Sequence, residues 1–293
     1  MNAIVLIALL GLAGQAAADE TGWIRVRTGG KTILFRPDGT ERTEAAAVAA
    51  PLRGQLSPDG ASVLHVSDQA IHVADKEGKN SRKVSPDNFV ADWPGWSPDG
   101  RRIAFVGMRG EHWQVHVMDR DGGNVRQLTD APHGAWMPKF GPDGRLAYLL
   151  WHKRQGKLQP ADLLISGGRE AKAVVNNVYI NGYAWSPDGT TIACSTLGAL
   201  VFHDLATGKA QEVAFPDIDK RLYSHAASLI CWRADSQAVA CSITFLGGRQ
   251  EGGPKIFGDD ELFVIPRRGK PNWFRPGDKV EQIEWVKQKG RDK

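Results

Sequence analysis

The chain has 293 residues, 42% hydrophobic and 24% charged, with a formal charge of +4 at pH 7. This is ordinary globular composition, long enough to bury a sizeable core. The mild charge and the lack of a long Lys/Arg block argue against nucleic acid, and the short basic tail at residues 287–293 reads as solvated.

Residues 4–12 are an apolar run too short to cross a bilayer. They lead to Ala16-Ala17-Ala18, a small-residue cleavage site, and then to Asp19-Glu20. The opening Met1-Asn2-Ala3 carries no Lys or Arg. The expectation is a cleaved signal peptide at 1–18, a mature start near Asp19 and one domain over 19–293. No other run could span a membrane, so a periplasmic or secreted product without stable membrane insertion is expected, as a monomer. The three cysteines are Cys194, Cys231 and Cys241. An odd count leaves a thiol unpaired. Cys194 and Cys241 each follow Ala in a strand-like run and read as small buried hydrophobes.

Residues 24–27 and 33–35 read as strands, with Pro37-Asp38-Gly39 as a turn. Then one phrase recurs: RGQLSPDG at 53–60, WPGWSPDG at 93–100, MPKFGPDG at 137–144 and GYAWSPDG at 182–189. Aligned on Asp59, Asp99, Asp143, Asp188 and Asp235, the intervals are 40, 44, 45 and 47 residues. That period suits a four-stranded blade. Most units have an aromatic-ended first strand, with Leu56 in its place in one, and four have a tight Pro-Asp-Gly turn, in which Pro presets φ and Gly accepts positive φ. A second strand follows (63–66, 103–106, 146–149, 192–195, 239–242), then a third (71–74, 114–118, 162–165, 200–203, 261–265). A Gly-bearing turn and a fourth strand, such as 125–128, complete it. The first unit lacks its opening strand, and residues 283–286 supply a spare one. The reading is all-β: a six-bladed β-propeller of four-stranded blades, its first blade closed by the C-terminal strand. Trp96, Phe140, Trp185, Trp232 and Trp285 fill one repeated slot and read as core. GWSPD is no nucleophile elbow, because it lies between two strands and Asp99 stands where the second Gly is needed.

The stretches WSPDGRRIAFVGMRGEHWQVHVMDRDGGNVRQLTD (96–130) and WSPDGTTIACSTL (185–197) resemble the WD40-like PD40 repeats of TolB-type β-propellers. The resemblance spans the mature chain, strongest over 96–130. It implies a six-bladed protein-binding module of the bacterial envelope. Only a few residues separate Ala18 from the first strand, so the expected protein is TolB-like without the family's N-terminal α/β domain.

Strand parity puts the short SPDG and DGG turns at one end of every blade. The irregular loops at 109–112, 151–160 and 245–260, with the lead-in segments, lie at the other, where binding is expected. Four residues before the slot stand Asp92, Trp136, Asn181, Ser228 and Glu281; seven before stand His133, His225 and Asp278. These form the candidate partner-binding rim of a channel mouth, for a protein or peptide of the cell envelope. Trp136, outside the repeated slot, reads as a rim residue with little part in stability. No catalytic residue, metal or cofactor is expected. His133, His225, Asp92 and Asp278 are suitable ligand types but lack a close-spaced signature. His65, His72, His112, His116, His152 and His203 read as structural or exposed. The alternatives are a propeller-type metal-dependent lyase acting on acidic sugars, a solvated funnel holding water, and a structural envelope protein.

Overall fold

The computed structural model describes residues 23–28, 31–37, 42–45, 54–108, 110–153, 159–167, 170–215, 225–245, 261–267, 272–274 and 280–286. Among them the β-strand is the one regular element. None of the described residues forms a helix long and apolar enough to cross a membrane. The segment read as a signal peptide lies outside the described residues.

In chain order, β1 (Trp23–Thr28), β2 (Lys31–Phe35) and β3 (Arg42–Ala45) open the structure. Next come β4 (Gly54–Leu56), β5 (Ser62–Ser67), β6 (Ala70–Asp75) and β7 (Arg82–Lys83). Then follow β8 (Val90–Trp96), β9 (Arg102–Met108), β10 (Trp113–Asp119) and β11 (Arg126–Gln127). The next set is β12 (Ala135–Phe140), β13 (Leu146–Trp151), β14 (Ala161–Gly167) and β15 (Glu170–Val178). After it come β16 (Gly182–Trp185), β17 (Thr191–Ser195), β18 (Ala199–Asp204) and β19 (Ala210–Ala214). The last strands are β20 (His225–Trp232), β21 (Ala238–Phe245), β22 (Glu261–Pro266), β23 (Asn272–Phe274) and β24 (Val280–Val286).

These strands make six four-stranded antiparallel sheets, five of them sequential meanders. The sixth has the order β24-β1-β2-β3. There β24 pairs with β1, Ile24 facing Trp285 and Val26 facing Ile283. One fourth strand is shorter than expected: β11 is two exposed residues, Arg126–Gln127.

The chain divides into two compact units. One holds residues 49–179 and the sheets β4–β7, β8–β11 and β12–β15. The other joins 15–48 to 180–293 and holds the remaining three. In the first unit β9 is buried on both faces. Ile103 and Phe105 pack with Leu64, Ile71 and Trp96 toward the preceding sheet. Ala104 and Val106 pack with Ala135, Leu146 and Tyr148 toward the following one. This period of two follows from the pleat. Each such Ile, Val or Phe contributes about 1.5–3 kcal/mol. In the second unit Phe202 and Leu200 pack with Trp232, Val239 and Ile265. The three cysteines are free. Burial pushes the Cys194 thiol up to about 12 and raises that of Cys241, as befits small hydrophobes.

Three of the repeated turns, at Ser57, Ser97 and Ser186, share one wiring. In the sheet β8–β11 Ser97 N–H donates to Arg102 O at 2.9 Å, and Gly100 N–H to Ser97 O at 2.9 Å. The Ser97 hydroxyl donates to Asp99 Oδ1 at 2.5 Å, which also accepts the Arg101 N–H at 3.1 Å. Gly100 sits at φ +66, a region that favours glycine. In the fifth turn Ser236 takes that position at φ +61. Its hydroxyl accepts the Asp188 N–H of the neighbouring turn at 3.1 Å, a contact that glycine could not make.

Candidate partner-binding site

The first strands are not regular. The register of β8 against β9 shifts between Asp92 and Gly95, and that of β12 against β13 between Trp136 and Lys139. Pro94 and Pro138 fall inside these shifts. Proline has no N–H for the ladder, so the strand bulges around it. The residues before them, Trp93 and Met137, take up the turn at φ +51 and +53. In β20 Ser228 is the bulged residue, and in β24 it is Glu281. The positions four residues before the slot thus lie at bulges in four first strands. Asn181 instead immediately precedes β16, its N–H donating to Ser195 O at 3.0 Å.

The bulges help gather four tryptophans at the loop-rich end of the first unit. Trp136 is central. Its ring centroid lies 5.4 Å from Trp151, nearly parallel at 20°. Trp113 meets it edge-on at 5.1 Å and Trp93 lies 5.9 Å away. All four side chains are half-buried. Trp93, Trp113 and Trp136 also pack on the core below. Trp136 is therefore no isolated rim residue, contrary to expectation: ring contacts with three tryptophans join it to the core. Gly134 allows the assembly. At φ +91, a Cβ there would stand 3.2 Å from Trp113 O and 3.8 Å from the Trp151 ring. The buried Trp93 Nε1 has no acceptor among the described residues.

Asp92, next to Trp93, accepts the Trp93 N–H at 2.7 Å. Burial raises its carboxyl above the usual range, and this hydrogen bond partly opposes the shift. Beside Trp113 a cavity of about 210 Å³ is lined by Glu111, His112, Gln114, His116 and Asp130 among others. Gln114 fixes its wall: Oε1 accepts the Ala131 N–H at 3.0 Å and the Thr129 hydroxyl at 2.7 Å. Nε2 donates to Ala131 O at 2.9 Å. His116 stacks on Phe105 at 5.2 Å, and burial lowers its pKa. It is structural, as expected. His152 is not partnerless: its Nε2 lies 2.8 Å from Asp162 Oδ1, which also accepts the Asn177 N–H.

Of the eight candidate residues, Asp92 and Trp136 come to this loop-rich end. His133 is exposed on the connection before β12. Asn181, His225, Ser228 and Glu281 belong to the second unit. The side chains of His225, Ser228 and Glu281, and the whole of Asp278, lie outside the described residues. Among the described residues no three His, Cys, Asp or Glu side chains converge as a metal-ligand set. Trp93, Trp113 and Trp151 were missed. Their one sequence signal is that they are tryptophans outside the repeated slot.

Comparison with known proteins agrees with the repeat pattern. TolB from Acinetobacter baumannii superposes with a TM-score of 0.59 at 18% identity, over 92% of this chain and 67% of that one. A putative TolB from Agrobacterium tumefaciens gives 0.59 at 14% identity, over 86% and 88%. An oligogalacturonate lyase in complex with manganese gives 0.55 at 15% identity, over 83% and 69%. At such identities the likeness is one of fold. No curated protein matches the sequence. The family model for PD40, the TolB beta propeller domain, matches residues 37–214, more than half of the chain. The chain belongs to the TolB β-propeller domain family, by its turns, its four-stranded sheets and this match.

Proposed function

We propose that the protein is an exported, non-enzymatic propeller that binds a protein or peptide partner of the cell envelope through its loop-rich end. The observation that carries this is the half-buried cluster of Trp93, Trp113, Trp136 and Trp151 beside the partly buried carboxylate of Asp92. Tryptophan presents a large, stiff apolar surface with a polar edge, the make-up of interface hot spots. Asp92 adds an acceptor for a partner's cation or backbone N–H. His133, Asn181, His225, Ser228, Asp278 and Glu281 extend the candidate surface.

The test is affinity capture of envelope proteins on immobilised residues 19–293, identified by mass spectrometry and followed by titration. Trp151→Ala should weaken the captured partner by about thirtyfold, the equivalent of ~2 kcal/mol, in a variant that still melts cooperatively. Trp136→Ala should weaken binding and also lower stability, since its ring holds the cluster together. Wild-type affinity in a folded Trp151→Ala variant removes this surface from the reading. Export is checked by intact mass: the mature protein should begin at Asp19.

The second reading is a metal-dependent lyase, favoured by the likeness in fold to the manganese-bound oligogalacturonate lyase. Plasma emission analysis after manganese loading separates the two. One tightly held equivalent supports the lyase, and under about a tenth supports the binding module.

A further inference from the structure

Two neighbouring sheet junctions in the first unit should be equivalent by repeat, yet one is filled and the other is open. Between sheets β4–β7 and β8–β11, Arg120 follows β10 and reaches back across the junction. Its Nη1 donates to Asp59 Oδ2 at 3.1 Å, its Nη2 to Ser62 Oγ at 2.7 Å, and its guanidinium lies 5.1 Å over the Trp96 ring. Arg82 Nη1 donates to Asp121 O at 3.2 Å. The turn at Gly122 is pressed onto Val84, whose carbonyl oxygen would lie 2.4 Å from any added Cβ. Val84 is 6% exposed.

In the next junction the groups that fill the gap are replaced or lose their partner. Ser166 pairs with Leu146 as Asp119 pairs with Arg102. Gly167 therefore stands where Arg120 stands one sheet earlier, and it brings no side chain. Arg126 pairs with Val117 as Arg82 pairs with Val73. Its guanidinium has no acceptor among the described residues. Leu128 takes the place of Val84 and is 42% exposed. What remains is a cavity of about 350 Å³, within the usual size of small-ligand sites. Val117, Phe140 and Leu146 give it an apolar floor, and Arg102, Arg126 and Ser166 give it polar groups. The Arg102 guanidinium lies 5.3 Å over the Phe140 ring and makes no hydrogen bond to a carboxylate among the described residues. Asp99, which feels its charge, engages the Ser97 hydroxyl and the Arg101 N–H instead.

The sign of the site is thus inverted. One junction holds a cation between a carboxylate and an aromatic ring. The other offers two guanidiniums around an aromatic, apolar hollow. We propose that this notch binds a carboxylate carried on a compact apolar or aromatic body. The guanidinium forks of Arg102 and Arg126 take the carboxylate, and the body fills the space against Phe140, Val117 and Leu146. The same chemistry comes from a free small acid or from the C-terminal end of a peptide. The notch lies at the SPDG end of the strands and does not depend on the tryptophan cluster.

Isothermal titration calorimetry of the full chain tests this with four probes: 3-phenylpropanoate, its amide, and the peptide Gly-Gly-Phe with a free or an amidated end. At least one acid should bind, at least tenfold tighter than its amide, and should weaken with added salt. The acid that binds more tightly identifies the source. Arg126→Gln should weaken that acid tenfold or more at unchanged melting temperature, because Arg126 is exposed and has no ion pair among the described residues. Acids and amides binding alike, neither acid binding at millimolar concentration, or an Arg126→Gln variant of unchanged affinity overturns the proposal.

Discussion

Trp96 donates its indole N–H to the carbonyl oxygen of Gln55 at 3.2 Å, across 41 residues of chain. Trp232 does the same to Ala184 at 3.1 Å, and Trp285 to Cys231 at 3.1 Å. Each acceptor stands one residue before the slot of the preceding sheet, at Leu56, Trp185 and Trp232. The first strand is an edge of its sheet, and a carbonyl oxygen has two lone pairs, so it can accept from the next sheet as well as from its own ladder. The slot aromatic therefore fills the gap between sheets and also adds a hydrogen bond to the backbone there. Phenylalanine can do the first and not the second.

This sets the expected cost of two substitutions. Trp232 is 7% exposed and its acceptor lies in a buried setting. Trp232→Phe keeps an aromatic ring but removes the indole hydrogen bond to the Ala184 carbonyl, costing about 0.5–1.5 kcal/mol. Trp232→Ala also opens a cavity and should cost about 3–5 kcal/mol. Urea denaturation measures both. A phenylalanine variant as stable as the wild type would show that only the ring's shape matters.

The Asp turns should govern acid stability. Asp59 is held down to about 2, first by the Ser57 hydroxyl, then by the Ala61 N–H and Arg120. The Ser97 hydroxyl and Arg101 N–H hold Asp99 low as well. An unfolded Asp titrates near ~3.9. A carboxylate whose folded value is lower stabilises the fold above that pH, and the contribution is lost as pH falls toward the folded value. Melting temperature should therefore drop between about pH 4 and pH 2. Asp59→Asn should start lower at pH 7 and fall less across that window. Parallel curves would mean that Asp59 is no better held in the folded state than in the unfolded chain.

Two glycines with similar torsions should respond differently to alanine. Gly144 lies at φ +81 with open space where a Cβ would go, whereas Gly122 at φ +95 faces Val84 O at 2.4 Å. Gly144→Ala should cost only the left-handed torsion, about 1–2 kcal/mol. Gly122→Ala adds a backbone clash that cannot be relieved by a rotamer change, and should cost well beyond that. Equal losses in thermal melts would show that the turn at Gly122 moves freely off Val84.

The sheets were legible because their punctuation is local. A Pro-Asp-Gly turn or a slot aromatic announces each unit, and the unbroken apolar run at 103–106 reports a strand buried on both faces. The bulges were half legible: Pro94 and Pro138 stand at the same place in two repeats, and each removes a ladder donor. The tryptophan cluster was not legible. Its members come from β8, β10, β12 and β13, and only the packing of two sheets brings them together. The same holds for His152 and Asp162, ten residues apart across a loop. The open notch could not be seen either, because it is defined by what Gly167 and Leu128 fail to fill relative to Arg120 and Val84. Such an absence becomes visible only when equivalent junctions are compared in space.

The C-terminal strand offers the sharpest test of how the second unit is built. β24 pairs along the length of β1 and buries Ile283 to 3% exposure. Deleting residues 280–293 would turn β1 into an edge and expose Ile24 and Val26, both fully buried now. It would also remove the Trp285 donor from Cys231 O. The expected product is insoluble or melts broadly, since an exposed apolar edge strand invites pairing with other chains. Ile283→Ala, which keeps the strand, should instead melt cooperatively with a loss of about 2–5 kcal/mol. A truncated protein that melts cooperatively at the wild-type temperature would show that the sheet stands without its fourth strand.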